Sequence, residues 1–401
     1  MSLVLPEKWP FSLDWLPPSA HLVGGAVRDA LLGRKSDYLD LDFVIPTGAI
    51  ALAQKIAQYY SAGFVILDPQ RQIARVVFPQ ATVDFAQQEG DTLETDLGRR
   101  DFTVNAIALY LPQQTLIDPL KGLIDLEKKQ LKMISVANLE SDPLRLLRAY
   151  RQGAQLNFTI EAQTRIHLRD LAPLLIRVAP ERVQSELNYL FANPHGSYWL
   201  EQAGLDGLLN VWLPNVNPTK LAQLAQIDTI LPRVESTWSS INWQSEVSPL
   251  AKLTRLVADH PLEAQRELIA LKYPKEVFNG VKSVLHHLSE LSKCSGDLRE
   301  QYFFFLGINK FFPILALVAL AQNIQPELVT GLINRYSDRH DLVAHPQPLV
   351  TGNDLINSLH LKPGPQIREL LTEIHIARIE GKITTPEEAL DFAQHELSPN
   401  L

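Results

Sequence analysis

The run Asp40-Leu41-Asp42-Phe43-Val44-Ile45, a short distance after Val23-Gly24-Gly25-Ala26-Val27-Arg28-Asp29, decides how this chain is read. Leu41 to Ile45 is apolar and β-branched enough for a strand, and in a strand residues i and i+2 share a face. Asp40 and Asp42 are therefore expected to project side by side. Two carboxylates that close repel, and one is driven toward protonation unless a cation is shared between them. A hard divalent ion with oxygen ligands, Mg²⁺ above all, meets that need. An exposed strand edge can carry two solvated acids as well, so the neighbouring segments must decide.

Upstream, Gly24-Gly25-x-x-Arg28 offers a cradle for phosphate. Two glycines let main-chain N–H groups face an anion at a helix N-terminus, and Arg28 one turn on adds a charge-assisted bond. Gly-Gly alone is an ordinary strand–turn–helix; beside the paired acids it gains meaning. Asp84, between Val83 and Phe85 on its own expected strand, is a candidate third carboxylate, as a ligand or as a base. Asp37 is read as a turn residue. In Arg99-Arg100-Asp101-Phe102-Thr103-Val104-Asn105-Ala106, three charges run into an apolar stretch. Asp101 is expected to cap the next helix, leaving Arg100 for phosphate or ribose, while Asn105 ties the loop together. In Asp142-Pro143-Leu144-Arg145-Leu146-Leu147-Arg148, the i, i+3 spacing sets Asp142, Arg145 and Arg148 along one face. Such a face is usually solvated. An acid joined with an arginine can also read a base, the carboxylate accepting from the cytosine N4 amino group and the guanidinium donating to N3 and O2. The combination points to nucleotidyl transfer. His340-Asp341 has no upstream His pair at metal-site spacing and is read as a loop dipeptide.

Working outward, Leu22-Val23 ends a short strand, Ala26 to Leu32 has a helical pattern, and Gly33 is placed to stop it. A helix is expected over Gly48 to Tyr60, then strands at 64–67, 74–78 and 82–85. From Asp142 onward helical periodicity dominates and strand signals fade. Prolines 194, 214 and 218 close one helical block, and a further boundary falls near His345-Pro346-Gln347-Pro348. The fold class is α+β: an α/β head on a long all-α remainder.

At 401 residues the chain has room for two to three domains. With 46% hydrophobic and 20% charged residues it is globular. A net charge of −8 counts against a uniformly basic surface, but nucleic-acid affinity depends on where the basic residues lie. A single cysteine, Cys294, excludes an internal disulfide framework and fits a reducing compartment. The N-terminal residues lack a signal-peptide pattern. The apolar run from Phe303 to Ala321 is interrupted by Gly307, Asn309, Lys310 and Pro313, so a buried helix pair is expected there, with no membrane span and a cytoplasmic location.

Taken in order, these segments resemble a family. Leu22-Val23-Gly24-Gly25-Ala26-Val27-Arg28-Asp29 through Asp40-Leu41-Asp42 looks like the signature of class II tRNA nucleotidyltransferases and bacterial poly(A) polymerases, within the polymerase-β-like superfamily. Arg99-Arg100-Asp101-Phe102-Thr103 is similar to the second motif and Asp118-Pro119…Gly122…Asp125-Leu126 to the third. Asp142-Pro143-Leu144-Arg145 resembles the base-reading fourth and Arg182-Val183-Gln184-Ser185-Glu186 the fifth. The resemblance implies a polymerase-β-like nucleotidyltransferase head (1–138), a neck (139–206), a body (207–345) and a tail (346–401). It implies Mg²⁺ on Asp40 and Asp42, and triphosphate on Gly24, Gly25 and Arg28. Arg100, Arg148 and Arg151 would line the nucleotide site, Asp142 and Arg145 would serve as a protein template, and Arg182 and Glu186 would brace the neck. Body and tail would grip the tRNA acceptor arm by backbone shape.

Two features depart from the family pattern. Ser141 stands where relatives often carry an acid before the template Asp. The link from Asp84 to Arg99 has no room for the longer flexible loop of enzymes that add the terminal A. A short loop here is characteristic of CC-adding members, which use CTP and leave the last residue to a separate A-adding enzyme. Complete CCA addition with CTP and ATP is the alternative, followed by poly(A) polymerase and by a non-catalytic RNA-binding relative. An antibiotic-modifying nucleotidyltransferase would share the paired acids but not the later motifs.

Overall fold

Alternating apolar residues build one mixed sheet. In the computed structural model, which describes residues 6–34, 38–294 and 296–397, its strands are β1 (His21–Val23), β2 (Leu39–Ile45), β3 (Gly63–Asp68), β4 (Ile73–Phe78), β5 (Ala81–Gln87), β6 (Ala108–Tyr110) and β7 (Thr115–Ile117). Their order is β3-β4-β5-β2-β1-β6-β7. Only β2 and β5 run parallel; the other neighbours are antiparallel. Asp37, expected as a turn residue, lies outside the described residues.

The period of two sorts the strand residues. Leu41, Phe43 and Ile45 of β2 are buried on one face. Phe43 stacks on Phe85 with ring centroids 5.5 Å apart, and Trp9 and Phe11 pack edge-on against this pair. The helix Ala49–Tyr59, entered from Gly48 at φ +79°, lies across β4 and β5. The opposite face carries Asp40 and Asp42. Register across it forms one row, Val65–Arg75–Asp84–Asp42–Val23–Ala108–Ile117. Val23, Val44 and Ala108 are buried on this side together with Leu93, Leu97 and Ala106, so the acids sit at the rim of a small apolar cluster.

The expected helix after Gly24-Gly25 spans Gly25–Leu31, and Gly33 follows at φ +65°. Asp118 accepts from the backbone N–H groups of Gly122 and Leu123 at 2.7 and 2.9 Å and starts the helix Gly122–Glu127. Thr103 donates its hydroxyl to buried Asp125 at 2.6 Å. A Cβ on Gly122 would lie 2.2 Å from the Thr103 carbonyl oxygen. Gly122→Ala is therefore expected to cost about 3 kcal/mol through overpacking against rigid backbone, measured as a lower urea midpoint with an unchanged m-value.

By packing, the chain divides into two units: Met1–Glu186 with Asp206–Val211, and Leu187–Leu205 with Trp212–Leu401. Asp206 shows why its segment joins the first. Its fully buried carboxylate accepts from Arg165 at 2.6 Å, Arg169 at 2.5 Å and the Tyr150 hydroxyl at 2.7 Å. Among its described residues the second unit has helices and no strand. The apolar run expected as a helix pair forms Leu298–Ile308 and Phe312–Ala321, broken at Asn309 and mostly buried. Leu298–Ala321 is the one stretch among the described residues long and apolar enough for a membrane span, yet 61% of its most apolar window is covered by the fold. Three terminal helices, Gly352–Leu359, Pro365–Ile379 and Pro386–Leu397, enclose a smaller core of their own around Leu355, Ile374 and Ala389.

Candidate active site

Gly24 starts the site. It holds φ +73°, a left-handed backbone that favours glycine, and a Cβ there would lie 3.1 Å from Asp42 Oδ2 and 3.2 Å from Arg100 Nη1. An acid from β2 and a base from the loop after Gly98 thus close over bare backbone. Asp40 is exposed and accepts from the Thr82 hydroxyl at 2.6 Å, while Asp42 is partly buried one pleat away. Burial, reinforced by the charges of Asp84 and Asp40, pushes the Asp42 carboxyl up to about 6, against the pull of Arg100 and Arg75. This is the frustration that the sequence spacing anticipates, and a divalent cation would relieve it. The oxygen-only donor set suits Mg²⁺. Asp84 lies directly across from Asp42 on the parallel neighbour. Both its oxygens are engaged by Arg75, with Nε to Oδ1 at 2.7 Å and Nη2 to Oδ2 at 2.8 Å.

The arginines expected to meet phosphate are held from behind. Arg28 is buried and donates through Nη1 to Asn105 Oδ1 at 2.6 Å, and through Nε to Asp29 at 3.0 Å. Asn105 in turn donates to Asp101 at 2.8 Å and to Gln152 at 2.9 Å. Asn105 therefore ties the loop as expected, and ties it also to the helix Leu144–Leu156. Asp101 does not cap a helix. The 3₁₀ turn Thr103–Asn105 has Phe102 at its N-cap, and the Asp101 carboxylate turns inward to Arg148, 3.3 Å away. Burial opposes its charge, but Arg148, Asn105 and the Phe102 amide outweigh burial and hold the carboxyl below its usual range. Instead of capping, Asp101 Oδ1 accepts from its neighbour's amide, Phe102 N–H, and from the Asn105 side chain at 2.8 Å each. Arg100 pairs loosely with Asp96 at 3.5 Å. Among the described residues, the Nε atoms of both Arg100 and Arg148 are buried without a hydrogen-bond partner. Buried donors of that kind normally have an acceptor, and a nucleotide phosphate or ribose would provide one.

Asp142 stands just before the helix rather than on it, because Pro143 occupies the N-cap of Leu144–Leu156. It is joined not to Arg145 but to Arg182, Nη2 to Oδ2 at 3.0 Å. Arg145 spends Nη1 on the carbonyls of Arg99 and Asn138, at 2.8 and 3.0 Å. Asp142 Oδ1 and Arg145 Nε and Nη2 take no part in these bonds. Arg151 pairs with Glu186 at 2.5 Å, joining the helix Leu144–Leu156 to the fifth motif segment. Sequence reading missed three residues: Arg75, Gln152, and Asn138, whose side-chain amide donates to the carbonyls of Gly98 and Arg100 at 2.8 Å each.

The connection from β5 to Arg99 is short and pinned. Glu89 forms an ion pair with Arg99 at 2.8 Å, Asp96 accepts from the Glu89 backbone N–H at 3.0 Å, and Thr92 caps the helix Leu93–Gly98.

Residues 20–132, which carry this sheet and its acids, match the poly(A) polymerase head domain. Residues 157–220 match an RNA- and SrmB-binding segment of polymerase A, and residues 241–393 match tRNA nucleotidyltransferase domain 2. The CC-adding tRNA nucleotidyltransferase of Synechocystis sp. is 49% identical, over 97% of this chain and 96% of its own length. The A-adding enzyme of Deinococcus radiodurans is 31% identical, over 94% and 95%. In fold, the Thermotoga maritima CCA-adding enzyme complexed with tRNA superposes with a TM-score of 0.72 at 22% identity, covering 94% of this chain and 91% of that one. This chain belongs to the tRNA nucleotidyltransferase family.

Proposed function

We propose that this enzyme adds two cytidylates from CTP to the 3′ end of tRNA and stops, leaving the terminal A to a separate enzyme. The observation that carries the CC-only reading is the pinned connection between Asp84 and Arg99. Switching from C to A requires an element that moves, and this short link is tied across itself, Glu89 to Asp96 and to Arg99. The 49% likeness to a CC-adding enzyme supports the same reading.

In this reading Asp40 and Asp42 hold Mg²⁺, which when bound supplies charge neutralisation and acidifies the terminal 3′-hydroxyl. The chain's own residues do the rest, and in phosphoryl transfer that is mostly positioning. Gly24 and Gly25 bring the backbone close to the triphosphate, Arg28 and Arg100 bind it, and Arg148 and Arg151 line the rest of the nucleotide site. Asp142 Oδ1 accepts from the cytosine N4 amino group and Arg145 donates to N3 and O2, while Arg182 and Glu186 brace the segment that carries them. A division into head (1–138), neck (139–206), body (207–345) and tail (346–401) follows from the motif order; the small core around Leu355 and Ala389 supports a separate tail. The tail and body would bind the acceptor arm. A cytoplasmic setting accords with the lone, buried Cys294.

The test is incorporation on tRNA transcripts ending at the discriminator base, after one C and after CC, each with CTP, ATP or both. Growth that stops after two cytidines, with no ATP added to the CC end, is the expected result. Extension of the CC end by one A overturns it in favour of complete CCA addition. Asp142→Ala is expected to lower discrimination for CTP over UTP by about 10-fold or more, the worth of one good base contact, with a smaller change in kcat. Unchanged selectivity would remove Asp142 from base reading.

A further inference from the structure

The sequence leaves Asp84 with two roles, third cation ligand or base, and the geometry bears on that choice. Arg75 and Asp84 face each other in register on β4 and β5, and both carboxylate oxygens of Asp84 are taken by one guanidinium fork at 2.7 and 2.8 Å. Fork-on-fork pairs are the strongest charge-assisted contacts available to an arginine. Asp84 is well covered, with 16% of its side chain exposed. Asp40, by contrast, receives a single neutral hydroxyl on Oδ1. Among the described residues no group of three or more His, Cys, Asp or Glu side chains is arranged as a ready-made cation cage.

We infer that Arg75 is a positioning residue that keeps Asp84 out of the cation's ligand set, so that the Arg75–Asp84 pair forms a net-neutral strut beside a two-carboxylate site. The inference rests on reading Asp40 and Asp42 as the cation site. Its chemical sense lies in coordination number. Mg²⁺ demands six oxygens in near-octahedral geometry and typically takes one or two carboxylates, filling the rest with water and substrate phosphate. A third protein carboxylate would occupy a position that the triphosphate or the 3′-hydroxyl needs. With Arg75 across the row, Asp84 still lends shape to the site, but its charge is spent on the guanidinium and its carboxylate is held by the fork rather than turned to the ion.

The experiment is Mn²⁺ binding to the full-length, nucleotide-free enzyme, followed by electron paramagnetic resonance, in a double-mutant cycle. Wild type and the charge-neutral pair Arg75→Met/Asp84→Asn are expected to bind with dissociation constants within twofold of each other. Arg75→Met alone should bind at least fivefold more tightly, because the freed carboxylate joins the ion. Asp84→Asn alone should bind more weakly, since it leaves an uncompensated guanidinium beside the site. A tenfold or greater loss in the double variant overturns the inference, for it would make Asp84 a ligand in the wild type. If Arg75→Met does not fold, Arg75→Lys retains the charge but cannot occupy both oxygens. It should still tighten binding, and unchanged or weaker affinity there overturns the inference as well. An Asp40→Ala/Asp42→Ala control separates the two readings. If that variant retains wild-type Mn²⁺ affinity, the site assignment fails, whatever the cycle gives.

Discussion

Asp42→Asn is expected to abolish nucleotide incorporation and, at the same time, to make the metal-free protein more stable at pH 8. The loss follows from the proposed cation site: losing one of two ligands removes several kcal/mol of transition-state charge stabilisation, about 1000-fold or more in rate. The gain follows from the electrostatics of the strand pair itself. Burial and the like charges of Asp84 and Asp40 raise the Asp42 carboxyl to about 6 from an ordinary 3.8. Between those values the folded state binds more protons than the unfolded state, so the wild type loses stability as pH rises through that window. Asparagine has no charge to bury. After discounting for solvent screening, the variant's advantage should be near zero at pH 4 and reach about 1–2 kcal/mol above pH 7. Thermal melts at pH 4, 6 and 8 measure it directly. Added Mg²⁺ should raise the melting temperature of the wild type and leave the variant unmoved. A variant no more stable than wild type at pH 8 would contradict the frustration described at β2.

Asp101→Ala should destabilise the first unit by about 3–5 kcal/mol. The carboxylate is buried: its Oδ1 accepts from Asn105 and the Phe102 amide, and its Oδ2 lies 3.3 Å from Arg148 as an ion pair. Removing it strands those donors, and Asn105 then loses one of the contacts that hold it against Arg28. The expected signature is double: a lower urea midpoint, and a raised KM for CTP because Arg28 and Arg148 are no longer fixed. Asp101→Asn, which keeps the shape without the charge, should fall between wild type and alanine. A KM unchanged in both variants would show that the network supports the fold without orienting the nucleotide site.

Much of this was legible in the chain because local and nonlocal signals agree. Leu41-Asp42-Phe43-Val44-Ile45 is apolar and β-branched enough for a strand, and period two then gives Asp40 and Asp42 a shared face. Gly33 and Gly48 stand where the observed helices end and begin, each at positive φ. The strands Ala108–Tyr110 and Thr115–Ile117 escaped notice because three residues are too few to show a period. The inward turn of Asp101 was hidden for another reason. Its partner Arg148 is far along the chain, and an acid before an apolar run reads locally as a cap. Asp142 was placed on a helix by spacing that takes no account of Pro143. Arg75 could have been found: strands 74–78 and 82–85 are joined by a turn so short that pairing Phe78 with Ala81 puts Arg75 opposite Asp84.

That turn has a consequence for how this protein can vary. Pro79 and Gln80 are exposed residues between β4 and β5, in the kind of position where chains normally tolerate insertions and deletions. Here one residue more or less would slip the hairpin by a step and turn Arg75 to the opposite side of the sheet. Asp84, still fixed beside Asp42 by its parallel neighbour, would face the acids without its counter-charge. A two-residue loop on the outside of the molecule therefore has its length dictated by the charge balance of the centre, and libraries that vary that length should return inactive proteins even where they fold.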